Sequence, residues 1–232
     1  MAFSSIPNSL ALIPDGNRRW ALSHKLSILS GYSLGVKKFI EFSDWCYSYG
    51  IRNLTVWALS SENIKRSPNE VRTLFNIYRK AAKDKEIIAK LEERQTRLNV
   101  ISNRKLLPRD LNELLCSIEK RTENNRNGVI NLLLGYGGKD DILFAAKKAV
   151  GMVKKGYRIT AEAFRQSLLS YQVPEIDYII RTSGEKRLSG FMPWQTSYSE
   201  LYFSDKLWPE FTKADLRIAL AEYGKRSRRF GR

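Results

Sequence analysis

Short apolar runs alternate along the chain with longer segments in which apolar residues recur every three or four positions. Runs of three to six apolar residues between Gly, Pro or polar clusters predict buried strands. The runs predicted as strands are 10–13, 54–59, 98–101, 129–134, 176–180 and 201–203. Pro14 is expected to end the first strand, and the polar turn after it leads into a helix beginning near Arg18.

The segments with helical spacing lie between these strands. Ser67-Pro68-Asn69-Glu70 is typical of a capping box with proline at the first helical position, and it predicts a long charged helix to about Gln95. Thr160 is expected to cap a short helix. The other predicted helices cover 36–49, 108–124, 138–155 and 214–223.

Strands alternating with helices of ten or more residues predict an α/β fold, with a mostly parallel central sheet flanked by helices on both faces. The chain has 232 residues, no internal repeat and no linker-like segment. We therefore expect a single domain over residues 1–232.

Charge is the strongest compositional signal. Forty Lys and Arg against 24 Asp and Glu give a net charge of +16, which favours anionic ligands: nucleic acid, lipid headgroups or phosphorylated small molecules.

The single histidine, His24, excludes multi-histidine metal sites. The two cysteines, Cys46 and Cys116, are expected in the core. No apolar run approaches the length of a membrane span and the N-terminus lacks the features of a secretory signal, so we expect a cytoplasmic protein.

Ligands of open α/β sheets bind beyond the carboxyl ends of the strands, and three segments there carry candidate chemistry. The first, 15–20, places Asp15, Gly16 and two adjacent arginines at a helix start, where an anion would offset their charge; a lone aspartate there is usually a helix cap. The second, 60–66, is polar and ends in Arg66. It is also compatible with a solvated loop.

The third segment, 181–189, combines Arg181, Arg187 and Ser189, whose forked guanidiniums and hydroxyl suit the oxygens of a diphosphate. Its alternative is a surface loop in which Glu185 pairs with the neighbouring cations. Two such anion sites and one carboxylate predict two phosphorylated ligands and one Mg²⁺, because Mg²⁺ prefers one or two carboxylates together with phosphate oxygens.

Taken in order, these segments resemble the cis-prenyltransferases typified by undecaprenyl diphosphate synthase, from about Leu10 to Gly231. The matching motifs are Ile13-Pro14-Asp15-Gly16-Asn17-Arg18-Arg19-Trp20-Ala21, Gly31-Tyr32-x-x-Gly35, Leu59-Ser60-Ser61-Glu62-Asn63, 131–138, 180–187, Trp194-Gln195 and Glu200-Leu201-Tyr202-Phe203. The resemblance implies an Mg²⁺-dependent homodimeric enzyme that joins an allylic diphosphate to isopentenyl diphosphate. It also implies an apolar tunnel between the sheet and the helix from Pro68.

The resemblance carries roles to individual residues. Asp15 would bind Mg²⁺, with Glu200 near a second metal position or the dimer contact, and Asn63 would lie near the reacting carbons. Arg181, Arg187 and Ser189 would hold isopentenyl diphosphate, and Glu185 would hold its loop arginines. Arg229 and Gly231 belong to a tail that would reach the partner subunit's site. The residues expected on the allylic side are Gly16, Asn17, Arg18, Arg19, Trp20, Tyr32 and Arg66.

Several positions depart from the family pattern on the allylic side. Ile28 stands where the family has arginine, Tyr32 where it has histidine, and Arg18 where it has glycine. Arg18 is therefore a candidate replacement for a lost cation. Some departures resemble members that join prenyl units head-to-middle, so irregular coupling stays open as an alternative.

Two further alternatives are less compatible with the sequence. A basic nucleic-acid binder would explain the charge but lacks a recognisable motif, so we expect no nucleic-acid partner. A non-catalytic prenyltransferase subunit would lack the carboxylate that Asp15 provides. Peripheral membrane association, through a lipid product and the basic surface, is an option for the enzyme.

Overall fold

The computed structural model describes residues 5–226, and its strands form one parallel sheet. The six strands are β1 (Ser9–Ile13), β2 (Asn53–Ser60), β3 (Thr96–Ile101), β4 (Gly128–Tyr136), β5 (Tyr178–Arg181) and β6 (Glu200–Phe203). Their order is β3-β4-β2-β1-β5-β6, and each of the five pairings is parallel. The predicted α/β fold is confirmed.

Eight helices connect the strands in the described part of the chain. They are α1 (Asn17–Ser23), α2 (Ile28–Ser48), α3 (Pro68–Lys83), α4 (Lys85–Glu93), α5 (Arg109–Thr122), α6 (Gly138–Lys154), α7 (Ala161–Ser167) and α8 (Lys213–Lys225). Short 3-10 helices cover Asn63–Lys65, Arg104–Leu106 and Trp208–Glu210. None of these helices combines the length and the apolarity that a membrane crossing needs.

Successive side chains of the buried strands pack into hydrophobic clusters on opposite faces of the sheet. On β1, Leu10 and Leu12 pack on one face with residues of α2 and α8, whereas Ala11 and Ile13 pack on the other. A parallel sheet covered on both faces needs apolar residues at successive positions, which explains the continuous apolar runs in the sequence. Helices α3, α4 and α5 form a further cluster with β3 and β4.

The helix predicted over 68–95 is wrong in its extent. It ends at Lys83, and Asp84, in an extended conformation, caps a separate helix by accepting hydrogen bonds from the backbone N–H groups of Glu86 and Ile87. Only half of the predicted capping box forms: the Ser67 hydroxyl accepts from the Glu70 N–H. The Glu70 carboxylate accepts hydrogen bonds from Tyr32 and Arg66 and does not return to the backbone of Ser67.

The prediction that both cysteines are core residues holds for one of them. Cys46 is 1% exposed on the inner face of α2, and burial raises the pKa of its thiol. Cys116 is exposed, because the buried stripe of α5 runs through Leu111, Leu115 and Ile118 and leaves it on the solvent side.

Candidate active site

Asp15 follows β1 directly, at the carboxyl edge of the sheet. The cap of α1 is Gly16, with φ 107°, so the Asp15 side chain does not cap the helix. Its carboxylate accepts a hydrogen bond from Nη2 of Arg181 at 2.9 Å and lies 3.6 Å from Nη2 of Arg19. The simple capping alternative is therefore wrong, and the carboxylate faces two arginines from different segments.

Arg181 ends β5 and lies beside Ile13 of β1 in the sheet register. Its side chain is only 5% exposed, yet it carries a full charge. One terminal nitrogen donates to the Arg187 carbonyl at 2.5 Å and to the Ser189 hydroxyl at 3.0 Å. The buried Nε–H has no acceptor among the described residues. A buried guanidinium with an unmatched donor suits an anionic oxygen, because an unpaired buried donor is otherwise costly.

Arg19 links the first and third segments. It donates to the Ser183 carbonyl at 3.2 Å and to the Ser183 hydroxyl at 2.5 Å. Glu185 lies 3.7 Å from Arg19 and also pairs with Arg187. The prediction that Glu185 holds its loop arginines is confirmed for Arg187 alone, because Arg181 donates to Asp15 instead. The Ser183 hydroxyl accepts a hydrogen bond from Arg19 and thereby fixes the position of that guanidinium.

A second cluster forms where α2, α3 and the second segment meet. The Tyr32 hydroxyl donates to Oε1 of Glu70 at 2.8 Å and accepts from Nη1 of Arg66 at 2.6 Å. Arg66 also donates to Glu70 at 2.9 Å, and Nη1 of Arg18 lies 3.7 Å from its other oxygen. Burial, reinforced by the hydrogen bond to Glu70, raises the pKa of Tyr32 to about 12. The phenol therefore stays a neutral donor in the physiological pH range.

Glu70 was not singled out from the sequence as a site residue. Its side chain is 8% exposed, accepts hydrogen bonds from Tyr32 and Arg66, and forms an ion pair with Arg18. Arg66 lies four residues before Glu70, but its backbone is extended and α3 begins only at Pro68, so helical spacing gives no signal for their contact. The contact with Tyr32, 38 residues away, has no local sequence signal.

Asn17 completes the first segment. Its Nδ2 donates to the Pro14 carbonyl at 3.2 Å, while its buried Oδ1 has no donor among the described residues. Gly35 lies against it so closely that a Cβ there would be 2.2 Å from Oδ1. The glycine spacing of the Gly31-Tyr32-x-x-Gly35 motif therefore makes room for Asn17.

The three segments meet at the mouth of one cavity of about 740 Å³. The interior is apolar and lies between the sheet and the helices α2, α3 and α4. It reaches Thr96 and Gly128, where β3 and β4 begin, at the opposite edge of the sheet from Asp15. The predicted site residues that line it are Asp15, Gly16, Asn17, Arg18, Arg19, Tyr32, Asn63, Arg66, Arg181, Arg187 and Ser189.

Two predicted site residues lie elsewhere. Trp20 is not among the residues that line the cavity; its ring stacks on His24, one turn further along the chain, with centroids 4.4 Å apart. Glu200 begins β6 in register with Tyr178, three residues before the level of Arg181. It accepts from Arg226 at 2.8 Å. Arg229 and Gly231 lie outside the described residues.

The donor set fits Mg²⁺ held partly by substrate. Within residues 5–226 no group of three or more His, Cys, Asp or Glu side chains could hold a metal by itself. Asp15, one-third exposed, supplies a single carboxylate at a mouth rich in guanidiniums. Because Mg²⁺ is commonly bound through one or two carboxylates plus substrate phosphates, Asp15 fits as its protein ligand.

Comparison with known proteins agrees with this geometry. The family model for undecaprenyl diphosphate synthases matches residues 13–231. An isoprenyl transferase of Thermus thermophilus is 42% identical over 98% of this chain and 89% of its own length. A geranylgeranyl-diphosphate-specific tritrans,polycis-undecaprenyl-diphosphate synthase of Thermoplasma acidophilum is 40% identical over 97% of this chain and 89% of its own.

Solved structures give the same result. Lavandulyl diphosphate synthase from Lavandula x intermedia, in complex with dimethylallyl diphosphate, has a TM-score of 0.93 and 35% identity, covering 98% of this chain and 99% of that one. A probable undecaprenyl diphosphate synthase from Campylobacter jejuni has a TM-score of 0.80 and 30% identity, covering 98% and 100%. The chain belongs to the undecaprenyl diphosphate synthase family and is a prenyltransferase.

Proposed function

We propose that this prenyltransferase transfers the prenyl group of an allylic diphosphate to isopentenyl diphosphate and forms a cis-prenyl diphosphate with Mg²⁺. The observation that carries the proposal is the position of Asp15 between two arginine-rich subsites at the mouth of an apolar cavity. The polar mouth accommodates two diphosphates and the apolar interior accommodates the prenyl chain.

The acceptor subsite is assigned to the third segment. Arg181 offers its unmatched Nε–H, and Arg187 and Ser189 lie beside it at the mouth. The isopentenyl diphosphate keeps its own diphosphate, so these groups need only bind and orient it. Arg19, which contacts both Ser183 and Asp15, would lie between this subsite and the donor.

The donor subsite is assigned to Arg18, Arg66 and Tyr32, with Asn63 near the reacting carbons. The allylic C–O bond breaks and the diphosphate leaves with the electron pair. A new C–C bond forms to the acceptor, which loses a proton to an oxygen of the departing diphosphate. The guanidiniums stabilise the charge that develops on the leaving group. Mg²⁺, held by Asp15 and diphosphate oxygens, would supply further neutralisation of that charge.

The length of the cavity favours chain elongation over a single short product. It follows β2 from Ser60 back to Leu54, and a strand of this length spans roughly 20 Å at about 3.3 Å per residue. We therefore propose regular head-to-tail addition, with the cavity as the tunnel for the growing chain. Irregular coupling is the alternative that product analysis distinguishes.

We further propose that the enzyme is a homodimer. Helix α6 exposes Leu143, Val150 and Val153 at 59%, 56% and 57%, and exposed apolar residues gathered on one helix favour an interaction surface. The tail residues Arg229 and Gly231 keep their predicted role at the partner subunit's site as part of this proposal. The measurement is the molar mass of the protein in solution.

The central experiment is incubation of the purified enzyme with Mg²⁺, labelled isopentenyl diphosphate and a series of allylic diphosphates. We expect linear cis-prenyl diphosphates. Asp15→Ala should lower turnover roughly 10³-fold, the scale for loss of a major electrostatic stabiliser. Asp110→Ala, which removes an exposed carboxylate paired only with Arg79 at 2.5 Å, is the matched control. Near-normal turnover of Asp15→Ala, or branched products, would contradict the assignment.

A further inference from the structure

Three leucines are exposed where α1 meets α2: one near the end of α1, one in the connection and one in the first turn of α2. Leu22, Leu26 and Leu29 are 59%, 46% and 49% exposed, and they lie within eight residues of one another. We call residues 22–29 the leucine turn. Single exposed apolar residues are common, but three exposed leucines within eight residues make this segment a candidate interaction surface.

The leucine turn is held by its own backbone. The Leu26 N–H donates to the Ala21 carbonyl at 2.8 Å, and Lys25 adopts the left-handed conformation with φ 55°. Ser27 then caps α2 by accepting from the Ser30 N–H at 3.1 Å. The leucines are therefore displayed on an ordered turn between two helices.

The surrounding sequence has one sign of charge. Residues 16–40 contain five Lys or Arg and no Asp or Glu. Lys25 lies between Leu22 and Leu26 and is exposed, and Lys37 is exposed further along α2. Arg18, Arg19 and Lys38 pair with carboxylates, whereas Lys25 and Lys37 form no ion pair among the described residues. Leucines beside these two free cations match an anionic bilayer, which attracts basic groups to its surface and accepts apolar side chains at the headgroup boundary.

The patch lies close to the mouth of the cavity. Arg18 and Arg19 line the mouth and belong to α1, whose seven residues span only about 10 Å. A bilayer that contacts the leucine turn would therefore adjoin the opening through which a prenyl chain enters or leaves. The other exposed apolar face, on α6, also carries lysines, but the exposed carboxylate of Asp140 lies in its first turn.

We propose that the leucine turn docks this enzyme on an anionic lipid bilayer, with Leu22, Leu26 and Leu29 inserted at the headgroup boundary and Lys25 facing the lipid phosphates. The biological purpose rests on the proposed function, because a prenyl diphosphate product partitions into lipid. The docking itself is a property of the free enzyme and is measured without substrate.

The first test places a fluorescent reporter on the turn. Cys116→Ser removes the exposed thiol, and Leu26→Cys in that background is labelled with an environment-sensitive fluorophore; buried Cys46 is left in place. Vesicles of phosphatidylcholine with phosphatidylglycerol should shift the emission to the blue, and phosphatidylcholine alone should not. Ile218→Cys on α8, 56% exposed, is the matched control and should not respond. No response at Leu26, or an equal response at both positions, would overturn the proposal.

The second test removes the apolar contact. The triple variant Leu22→Ser, Leu26→Ser, Leu29→Ser should bind the anionic vesicles at least about tenfold more weakly in sedimentation, since each leucine loses several buried methyl and methylene groups. Ile218→Ser, 56% exposed on α8, should bind like the wild type. Unchanged binding of the triple variant would show that bulk charge alone acts and would refute the docking surface.

Two controls separate the possible failures. Prenyl transfer from a short, water-soluble allylic diphosphate should be the same in the triple variant as in the wild type, because no leucine of the turn lines the cavity. Loss of that activity with intact vesicle binding would refute the proposal, whereas an inactive wild type that still docks would contradict only the proposed function. If the triple variant had a changed molar mass in solution but bound vesicles like the wild type, the leucine turn would be a contact between protein chains. That result would also refute the proposal.

Discussion

Gly35 is the position where one added methyl group should damage both packing and the donor subsite. It lies in the interior of α2, is buried, and its carbonyl accepts from Nε1 of Trp208 at 2.9 Å. A Cβ at this residue would lie 2.2 Å from Oδ1 and 2.9 Å from Cγ of Asn17. The contact must lengthen by roughly 1 Å to become an ordinary non-bonded separation. Because Trp208 holds α2, Asn17 is the group that must move.

Two opposing contributions set the size of the effect of Gly35→Ala. Removing a glycine from a helix interior favours folding by about 0.5 to 1 kcal/mol. Overpacking a filled site costs about 1 to 3 kcal/mol. We therefore expect a net loss of up to about 2.5 kcal/mol in the free energy of unfolding. A 1 Å displacement of a positioning group can lower activity roughly 10²-fold, so kcat/KM for the allylic diphosphate should fall by about that factor.

Gly151→Ala provides the matched control. Gly151 lies in the interior of α6, and a Cβ there would meet nothing within 4 Å. It should raise the free energy of unfolding by about 0.5 to 1 kcal/mol and leave kcat/KM unchanged. Chemical denaturation and steady-state kinetics check both variants. If Gly35→Ala were as stable as Gly151→Ala and as active as the wild type, the packing of Asn17 against Gly35 would have no role.

Three further predictions concern the donor subsite and the thiols. Arg18→Gly should raise KM for the allylic diphosphate about tenfold or more, because a lost charged hydrogen bond costs about 1.5 to 3 kcal/mol; an unchanged KM would show that Arg18 does not replace the cation missing at Ile28. Tyr32→Phe should raise the same KM by releasing Arg66, whereas the wild-type rate should show no step from this phenol below pH 10, since burial raises the pKa of Tyr32 to about 12. A thiol reagent should modify Cys116 rapidly in the native protein and Cys46 only after unfolding, and two rapid equivalents would contradict the packing of α2.

The order of strands and helices could be predicted from the sequence because it depends on local patterns. Apolar runs between turn residues predicted each strand to within two residues at its start. A parallel sheet is recognisable in the sequence because its strands are buried on both faces, so their apolar residues are continuous. In β1 all five residues are buried, and no alternation of polar and apolar residues remains. Asp84 shows the limit of local patterns: the helical spacing continues through it, and only its capping geometry separates α3 from α4.

The site was predictable in its segments and not in its contacts. Parallel strands bring their carboxyl ends to one edge, so segments that follow β1, β2 and β5 had to meet there. Which side chains pair was decided by packing. Asp15 and Arg181 are 166 residues apart and touch because β1 and β5 are neighbours. Trp20, although part of the same motif as Asp15, stacks on His24 and does not line the cavity.

The sequence by itself determined the fold class, the family and the residues available for diphosphate chemistry, since these follow from composition, periodicity and motif order. Only the tertiary structure decided that Glu70 joins Tyr32 to Arg66 and that Glu200 pairs with Arg226. The reason is physical: a side chain's partners depend on distances between elements remote in the chain, and no local pattern of residues encodes those distances.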